Sequence, residues 1–365
     1  MLITRTLRLK KVFFFIATVV FTHSFIGCSF VPHAVSQSRV DYNEVFNRTD
    51  NEQILLNLVR LRYRDTPFFM ETASISTSFS FDIGTSMEVD ILPGAENTYI
   101  LAPNIGYGER PTITYTPLQG EEFVKQMLSP LDLHTLMLLY HSGWSIERLL
   151  RVTAQGINGV LNAPTASGPT PSTPPEYERF REIAELVREL QQKNAIVFAQ
   201  SQDGSQVIFN ITPNYQHDDA VQKFKHLLNL DAENLQFTLI PAVGYINNSQ
   251  SITLQLRSML ASMYYLSQAV EVPVQDREAN RVTTTRHKSG EVFNWNSVTE
   301  NLFWVHASSS NPNNAYIAVK YRGTWFYIDD SDLSSKSTFS LLKQLLALQS
   351  GDTKSQAPVL TIPIQ

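Results

Sequence analysis

Apolar positions change period several times along this chain, and each change marks an element. Ile54, Leu55, Leu58, Val59 and Leu61 recur at helical spacing behind Thr49-Asp50-Asn51-Glu52, which has the spacing of a capping box. At about 100° per residue, Gln53, Asn57, Arg60 and Arg64 share the opposite, wet face. Arg62 breaks the pattern by projecting beside Leu55 and Leu58 on the apolar side. The pattern favours a helix that frays before Arg62, letting the side chain reach water along its aliphatic stem. Otherwise the charge is buried and must find a carboxylate or carbonyls.

Pro67 ends that helix, and the period drops to two. Thr72–Ile83 alternates small polar residues with Ile75, Phe79 and Phe81, Gly84 interrupts, and Met87–Leu92 resumes, which predicts a hairpin turning at Gly84. Pro93–Tyr107 reads as an irregular loop and Pro111–Leu118 as one more short strand. Helical spacing returns over Glu121–Leu128, Asp132–His141 and Ser145–Leu161. A composition break follows at 163–175, where Pro164, Pro169, Pro171, Pro174 and Pro175 predict an extended segment that buries little.

Beyond it, Thr173-Pro174-Pro175-Glu176 has capping-box spacing, and Glu176–Lys193 carries an apolar stripe of Phe180, Ile183, Val187 and Leu190. Ala195–Ser201 and Gln206–Thr212 flank Asp203-Gly204, a strong hairpin signal. Ala220–Leu230 reads as helix and Leu235–Ile240 as strand, so 176–241 is predicted as a small α-β-β-α-β subdomain. Ile252–Val270 is read as a long buried helix with Arg257 as its one charge. Gln275–Glu291 is expected to be solvated. Strands are predicted over Leu302–His306, Ala315–Tyr321, Trp325–Ile328 and Pro358–Pro363, with a helix over Ser337–Gln349 stopped by Gly351. The fold class is α+β, with short antiparallel hairpins packed against amphipathic helices. The regions are 49–162, the Pro-rich loop 163–175, the subdomain 176–241 and a C-terminal α+β region 242–365.

The first 27 residues differ from all of this. Arg5, Arg8, Lys10 and Lys11 precede an apolar run from Val12 to Phe21, the order of a secretory signal peptide. The run is short for a spanning helix, which needs about 20 apolar residues. Cys28, the only cysteine of 365 residues, follows Phe25-Ile26-Gly27. A small residue before a cysteine at this place resembles the lipobox of bacterial lipoproteins, although Phe25 and Ile26 stand where leucine and a small residue are usual. The resemblance implies a diacylglycerol on the Cys28 sulfur, cleavage before it, and an acyl chain such as palmitate on the new N-terminus. Ser29, where an acid would favour inner-membrane retention, implies the outer membrane. The alternatives are an uncleaved anchor, or an ordinary signal peptide that leaves a free thiol. Residues 28–48 are polar without a clear period and are expected to form a tether.

The net charge is −5, and losing the basic leader makes it four units more negative, which excludes a phosphate-tracking nucleic-acid binder on bulk charge. Phosphate-loop, dinucleotide, nucleophile-elbow and zincin motifs are absent from the sequence. His134 and His141 lie two helical turns apart, about 10.5 Å, too far to share one metal. His217-Asp218-Asp219 suits a helix start, and Asp330-Ser331-Asp332 lacks the glycine and distal glutamate of a calcium loop. On Trp325–Asp330, alternation puts Trp325, Tyr327 and Asp329 on one strand face. That face reads as a cross-strand aromatic ladder, with a sugar-stacking surface as the sharper alternative.

Asn51–Tyr63, Ser142–Ile146, Tyr264–Ser267 and Trp325–Asp330 together resemble an uncharacterised family of bacterial outer-membrane lipoproteins. The resemblance covers most of the mature chain and implies localisation alone. The expected function is therefore that of a membrane-anchored, non-enzymatic lipoprotein without cofactor. It binds or scaffolds another envelope component, held to the bilayer by Cys28 and facing the periplasm. A peptidoglycan-binding lipoprotein and an envelope hydrolase with a dispersed site are the alternatives.

Overall fold

The computed structural model describes residues 27–90, 98–242, 244 and 248–350. Most of the predicted leader and the predicted last strand, Pro358–Pro363, lie outside the described residues, as does the Gly351 stop. The architecture is α+β, with three sheets of mostly antiparallel strands among the described residues.

Helix α1 runs from Gly27 to Arg62 and overrides two expectations. Thr49 does not open a helix; its hydroxyl donates to the Phe46 carbonyl one turn back, 3.0 Å away. The stretch expected as an aperiodic tether is the first part of α1 instead. A helix in solvent needs no apolar stripe, and Val40 and Val45 are both exposed, so there was no period to detect. Its reach is then about 1.5 Å per residue rather than 3.3–3.6 Å. Farther along, Leu55, Leu58 and Val59 are fully buried.

Strand β1 (Phe69–Asp90) pairs antiparallel with β2 (Thr98–Leu118) along their whole length. The predicted turn at Gly84 is absent, and of the loop predicted over Pro93–Tyr107 the part from Thr98 onward is strand, while 93–97 lie outside the described residues. Gly84 lies inside the ladder opposite Asn104, while Pro103 and Pro111 face Thr85 and Thr77. Each proline lacks an amide donor, which is tolerated because both strands of a two-stranded sheet are edges. The base of the hairpin is clamped to α1. Asn57 exchanges two hydrogen bonds with the Phe68 backbone, of 2.8 and 3.0 Å, and Gln53 does the same with Met70, at 3.0 and 2.7 Å.

Helices α2 (Glu121–Leu128) and α3 (Leu133–His141) lie where periodicity predicted them. Helix α4 (Ile146–Thr153) stops eight residues short of the predicted end at Leu161. It gives way to β3 (Ala154–Ile157) and β4 (Val160–Leu161), joined by Asn158-Gly159 with φ of 44° and 78°. Both central residues at positive φ make this the two-residue hairpin turn that Asn-Gly favours.

The 163–175 segment is not a free extended link. Ala163, Ala166 and Pro171 are buried, Pro164–Ser167 is a 3-10 turn, and the Pro171 carbonyl accepts from Thr285 Oγ1 at 2.5 Å. Helix α5 (Glu178–Gln192) starts after it, with Tyr177 rather than Thr173 at the N-cap. Next come β5 (Ile196–Gln200), β6 (Val207–Ile211), α6 (Asp219–Leu227) and β7 (Gln236–Pro241), in the predicted order, with Gly204 at φ 72° in the predicted turn. Strand β8 (Ser251–Leu256) pairs in parallel with β7, so the sheet continues past Pro241 in the order β4-β3-β8-β7-β6-β5.

The long helix predicted over Ile252–Val270 is thus a buried central strand followed by a shorter helix, α7 (Met259–Ser267). Ser258 separates them, its Oγ accepting the Ala261 amide at 3.1 Å as an N-cap. Arg257, between strand and cap, is fully buried without a carboxylate. Its guanidinium donates to the carbonyls of Ala154 (2.6 Å), Arg151 (3.2 Å) and Asn162 and to Ser167 Oγ (3.0 Å), and lies 4.1 Å from the Tyr265 ring centre. It therefore ties α4, β3, the start of the Pro-rich segment and α7 together.

Short helices α8 (Val274–Glu278) and α9 (Asn296–Thr299) bracket the 275–291 stretch, of which Asp276, Val282 and Thr285 are buried rather than solvated. Strands β9 (His306–Ser308), β10 (Ala315–Tyr321) and β11 (Thr324–Asp329) form a sheet in the order β10-β11-β9. Helix α10 (Leu333–Ser350) follows, beginning four residues before the predicted Ser337. Buried apolar residues from both sides of the Pro-rich segment, Leu55, Leu149, Val187, Met263 and Leu342 among them, belong to one core.

Candidate functional site

The candidate site begins where α1 ends. One and two turns back from Arg62 are Leu58 and Leu55, both in the core, so the same rotation carries Arg62 inward. The helix does not fray before it, contrary to the favoured expectation, and Arg62 is only 8% exposed. Its Nη1 donates to the Thr283 carbonyl at 3.1 Å, while its Nε is closed off from solvent without a partner. Burial pulls its pKa down to about 10; nearby Tyr63 opposes the shift and Arg277 reinforces it. The group stays charged at neutral pH, and two guanidinium groups sit within reach of one another.

Arg62 and Arg277 line a cleft of about 220 Å³ together with Gln268, Glu271, Trp295 and Trp304. Gln268 is the C-cap of α7 and Trp304 lies just before β9. Gln268 Oε1 and Trp304 Nε1 are, like Arg62 Nε, occluded polar atoms without partners. A polar atom left so costs about 1–3 kcal/mol, and three in one wall is a concentration of unmet hydrogen-bonding capacity. The rest of the wall is firmly held. Trp295 Nε1 donates to Thr285 Oγ1 at 2.9 Å, and Glu271 accepts the Ala307 amide at 3.0 Å.

Past Trp304, Asn294 and Asn296, which border both spaces, the cleft meets a more open groove of about 680 Å³ reaching Glu300, His306 and Asp332. Asp332 caps α10 by accepting the Ser335 amide at 3.0 Å and the Ser335 hydroxyl at 2.6 Å. Ser335 Oγ in turn accepts the Trp304 amide at 2.8 Å. This serine–aspartate pair is thereby committed to holding the helix start and Trp304.

An aromatic row connects the groove to the Trp325 face. The ring of Trp304 is 5.6 Å from that of His306, which stacks on Tyr327 at 5.2 Å and 29°. Strand register pairs His306 with Tyr327 and Ser308 with Trp325, so these residues share one face. Trp325 and Tyr327 are half-buried, and Lys320 Nζ lies 5.9 Å from the Trp325 ring centre. Asp329 is engaged in the turn, accepting the Ser331 amide at 2.8 Å and the Ser331 hydroxyl at 2.5 Å, which with Asn314 hold its carboxyl below the ordinary range. On the opposite face Phe326 and Ile328 are fully buried.

The other residues singled out by sequence are apart from this cleft. Cys28 falls within α1. His134 meets the Gln200 amide and His141 the Phe198 carbonyl, and Asp218 caps α6 while pairing with Lys193 at 2.9 Å. Among the described residues, no group of three or more histidine, cysteine or acidic side chains is placed to hold a metal ion. A separate apolar space beneath the six-stranded sheet, lined by Leu136, Phe198, Phe209 and Ile252, has a cavity volume of about 30 Å³, too small for a ligand and too apolar to hold an ordered water.

Sequence reasoning reached Arg62 and Tyr327 but missed Arg277, Gln268 and Trp304. They come from a stretch read as solvated, a helix end and a strand edge, and share no spacing. The one available signal was Arg62, an arginine on the apolar side of a helix. Compared with known proteins, the chain matches no protein-family model, no curated protein and no solved structure.

Proposed function

We propose that this chain is a lipid-anchored, non-enzymatic binding protein of the bacterial envelope, held in the outer membrane by acylated Cys28, whose cleft takes a carboxylate-bearing glycan. Arg62 is the observation that carries the ligand class. A guanidinium offers five N–H donors in a planar fork suited to a carboxylate, and Arg62 spends one of them on a backbone carbonyl. Arg277 at the rim adds a second positive charge to the same cleft. Beyond the cationic end, Trp304, His306 and Tyr327 provide ring faces beside a groove of amide and hydroxyl groups, the chemistry that sugar rings stack on and bond to. Peptidoglycan fragments combine sugars with free carboxylates and meet both ends.

Titration calorimetry of the full chain with soluble muropeptides tests this. Fragments with free carboxylates bind, fragments with those carboxylates amidated bind at least tenfold more weakly, and Arg277→Gln weakens the first without altering the circular dichroism spectrum. Equal binding of both fragments, or heat from neither, rules out the ligand class.

A further inference from the structure

The β1–β2 hairpin has a property that the cleft does not explain. Directly paired residues of an antiparallel ladder lie on the same face. At one set of alternate positions the pairs are Ile75–Ile113, Phe81–Tyr107, Ile83–Ile105, Met87–Leu101 and Val89–Tyr99. Thr77–Pro111, Phe79–Glu109 and Thr85–Pro103 complete that set, with Glu109 its one charge. At the other set stand Ser76–Thr112, Ser78–Arg110, Ser80–Gly108, Asp82–Gly106, Gly84–Asn104, Ser86–Ala102 and Glu88–Ile100. One face of the ladder is thus apolar in composition and the other, Ile100 apart, is polar or small, over roughly 15 residues of β1 that span about 50 Å at about 3.3 Å each.

In water such a ladder is poorly placed. A two-stranded sheet is marginal on its own, and both of its edges present unpaired backbone groups. Among the described residues no third strand joins it. Alternation of apolar and polar positions in strands of ten or more residues is the pattern of a transmembrane β-barrel, with lipid outside and water inside. Direction agrees. Successive residues on entering β1 meet successively earlier residues of α1, Phe68 at Asn57 and Met70 at Gln53. The hairpin therefore leaves the body toward the end of α1 that carries Cys28. No helix among the described residues is long and apolar enough to cross a membrane.

We infer that hairpins from several copies of this chain pair edge to edge into one closed β-barrel across the outer membrane, apolar positions toward lipid and polar positions toward the lumen. Each copy supplies two strands, so the barrel has an even strand number, and about eight strands, the smallest usual size, require about four copies. Closure satisfies every open edge, which the bilayer demands of any sheet within it. The proposal draws on the lipid-anchor reading for the choice of membrane and for the direction in which the hairpin leaves the body.

The test uses the full chain, purified in detergent and reconstituted into phosphatidylethanolamine–phosphatidylglycerol vesicles. Native mass spectrometry gives the copy number, a planar bilayer the conductance, and external protease the protection of the hairpin. The barrel predicts a multimer, stable conductance steps and a protected hairpin. Ile83→Asp with Ile105→Asp, a directly opposed pair on the apolar face, lowers the number of inserted channels at least tenfold, while Ser76→Asp on the polar face leaves it within about twofold. Circular dichroism and the thermal midpoint of the body confirm that both variants fold. Monomers, or a multimer that neither conducts nor protects its hairpin because the apolar faces pack on each other, overturn the inference; so does equal insertion of the two variants. The intact mass of the same sample reports acylation of Cys28 separately, so conductance without acyl chains defeats the anchor reading alone.

Discussion

The Tyr63 hydroxyl donates to Asp276 Oδ2 across 2.6 Å, joining residues 213 positions apart in the chain. Asp276 also receives Arg281 at 2.7 Å, and the Arg322 guanidinium lies 5.3 Å from the Tyr63 ring centre. Arg322 in turn pairs with Asp65 at 2.9 Å. The end of α1, the segment after α7 and the β10–β11 turn thus meet in one polar cluster beside the buried Arg62.

Removing the Tyr63 hydroxyl leaves a buried carboxylate one donor short. A hydrogen bond to a charged group contributes about 1.5–3 kcal/mol. Tyr63→Phe keeps the ring and its edge contact with Phe326, so urea unfolding should show a loss in that range with an unchanged m-value.

The same cluster sets an acid limb. Burial alone would raise the Asp276 carboxyl, but the bonds from Tyr63 and Arg281 outweigh it and hold the group below its ordinary value. A folded value depressed below the unfolded one means that the contribution is fully present above about pH 4 and disappears as pH falls through the folded value. Thermal melts at stepped pH should show the midpoint of the native chain falling below about pH 4, and Asp276→Asn should be less stable at neutral pH with a shallower acid limb.

Arg257 predicts a larger effect. Arg257→Met preserves much of the volume but strips donors from the Ala154 and Asn162 carbonyls, which stay buried. The expected loss is about 2–6 kcal/mol, from two buried carbonyls left unsatisfied at about 1–3 kcal/mol each. Arg257→Lys should recover little, because one ammonium cannot span acceptors on both sides of a planar fork. Chemical denaturation of the two variants checks both statements.

Asn158 combines two demands. It sits at φ 44°, its Nδ2 donates to Leu228 O at 3.0 Å, and its Oδ1 accepts the Thr253 amide at 2.7 Å. Asn158→Ala loses both bonds and the polar side chain that lets asparagine tolerate positive φ, for about 2–4 kcal/mol. Asn158→Gly relieves the backbone cost alone and should be the milder of the two in the same unfolding measurement.

These residues also show what could be read from the sequence. Elements with one dominant period were legible: α2, α3, the Asp203-Gly204 hairpin and β10 lie within a residue or two of expectation. Misreadings arose where two periods coincide. Ile252, Leu254 and Leu256 fit a strand, while Ile252, Leu256, Met259 and Met263 fit a helix, and only the cap at Ser258 separates them. Ile157 likewise extended the stripe of α4, although Asn158-Gly159 offered a turn signal as good as Asp203-Gly204. The hairpin was cut short because Gly84 and the prolines of β2 read as breakers, a rule that holds for central strands and fails at edges. The first part of α1 was missed for the opposite reason, since its exposed Val40 and Val45 set no apolar period. The cleft was legible only at Arg62, because its other walls come from five separate stretches of chain.

The account turns on the acylation of Cys28, and the mass of the mature N-terminus tests it most directly. Protein extracted from envelope membranes should begin at Cys28, carry a thioether-linked diacylglycerol and an amide-linked acyl chain, and incorporate labelled palmitate. The Cys28→Ala variant should lose the label and remain unprocessed. A mature chain that begins elsewhere, or a Cys28 peptide of unmodified mass with a free thiol, would contradict it.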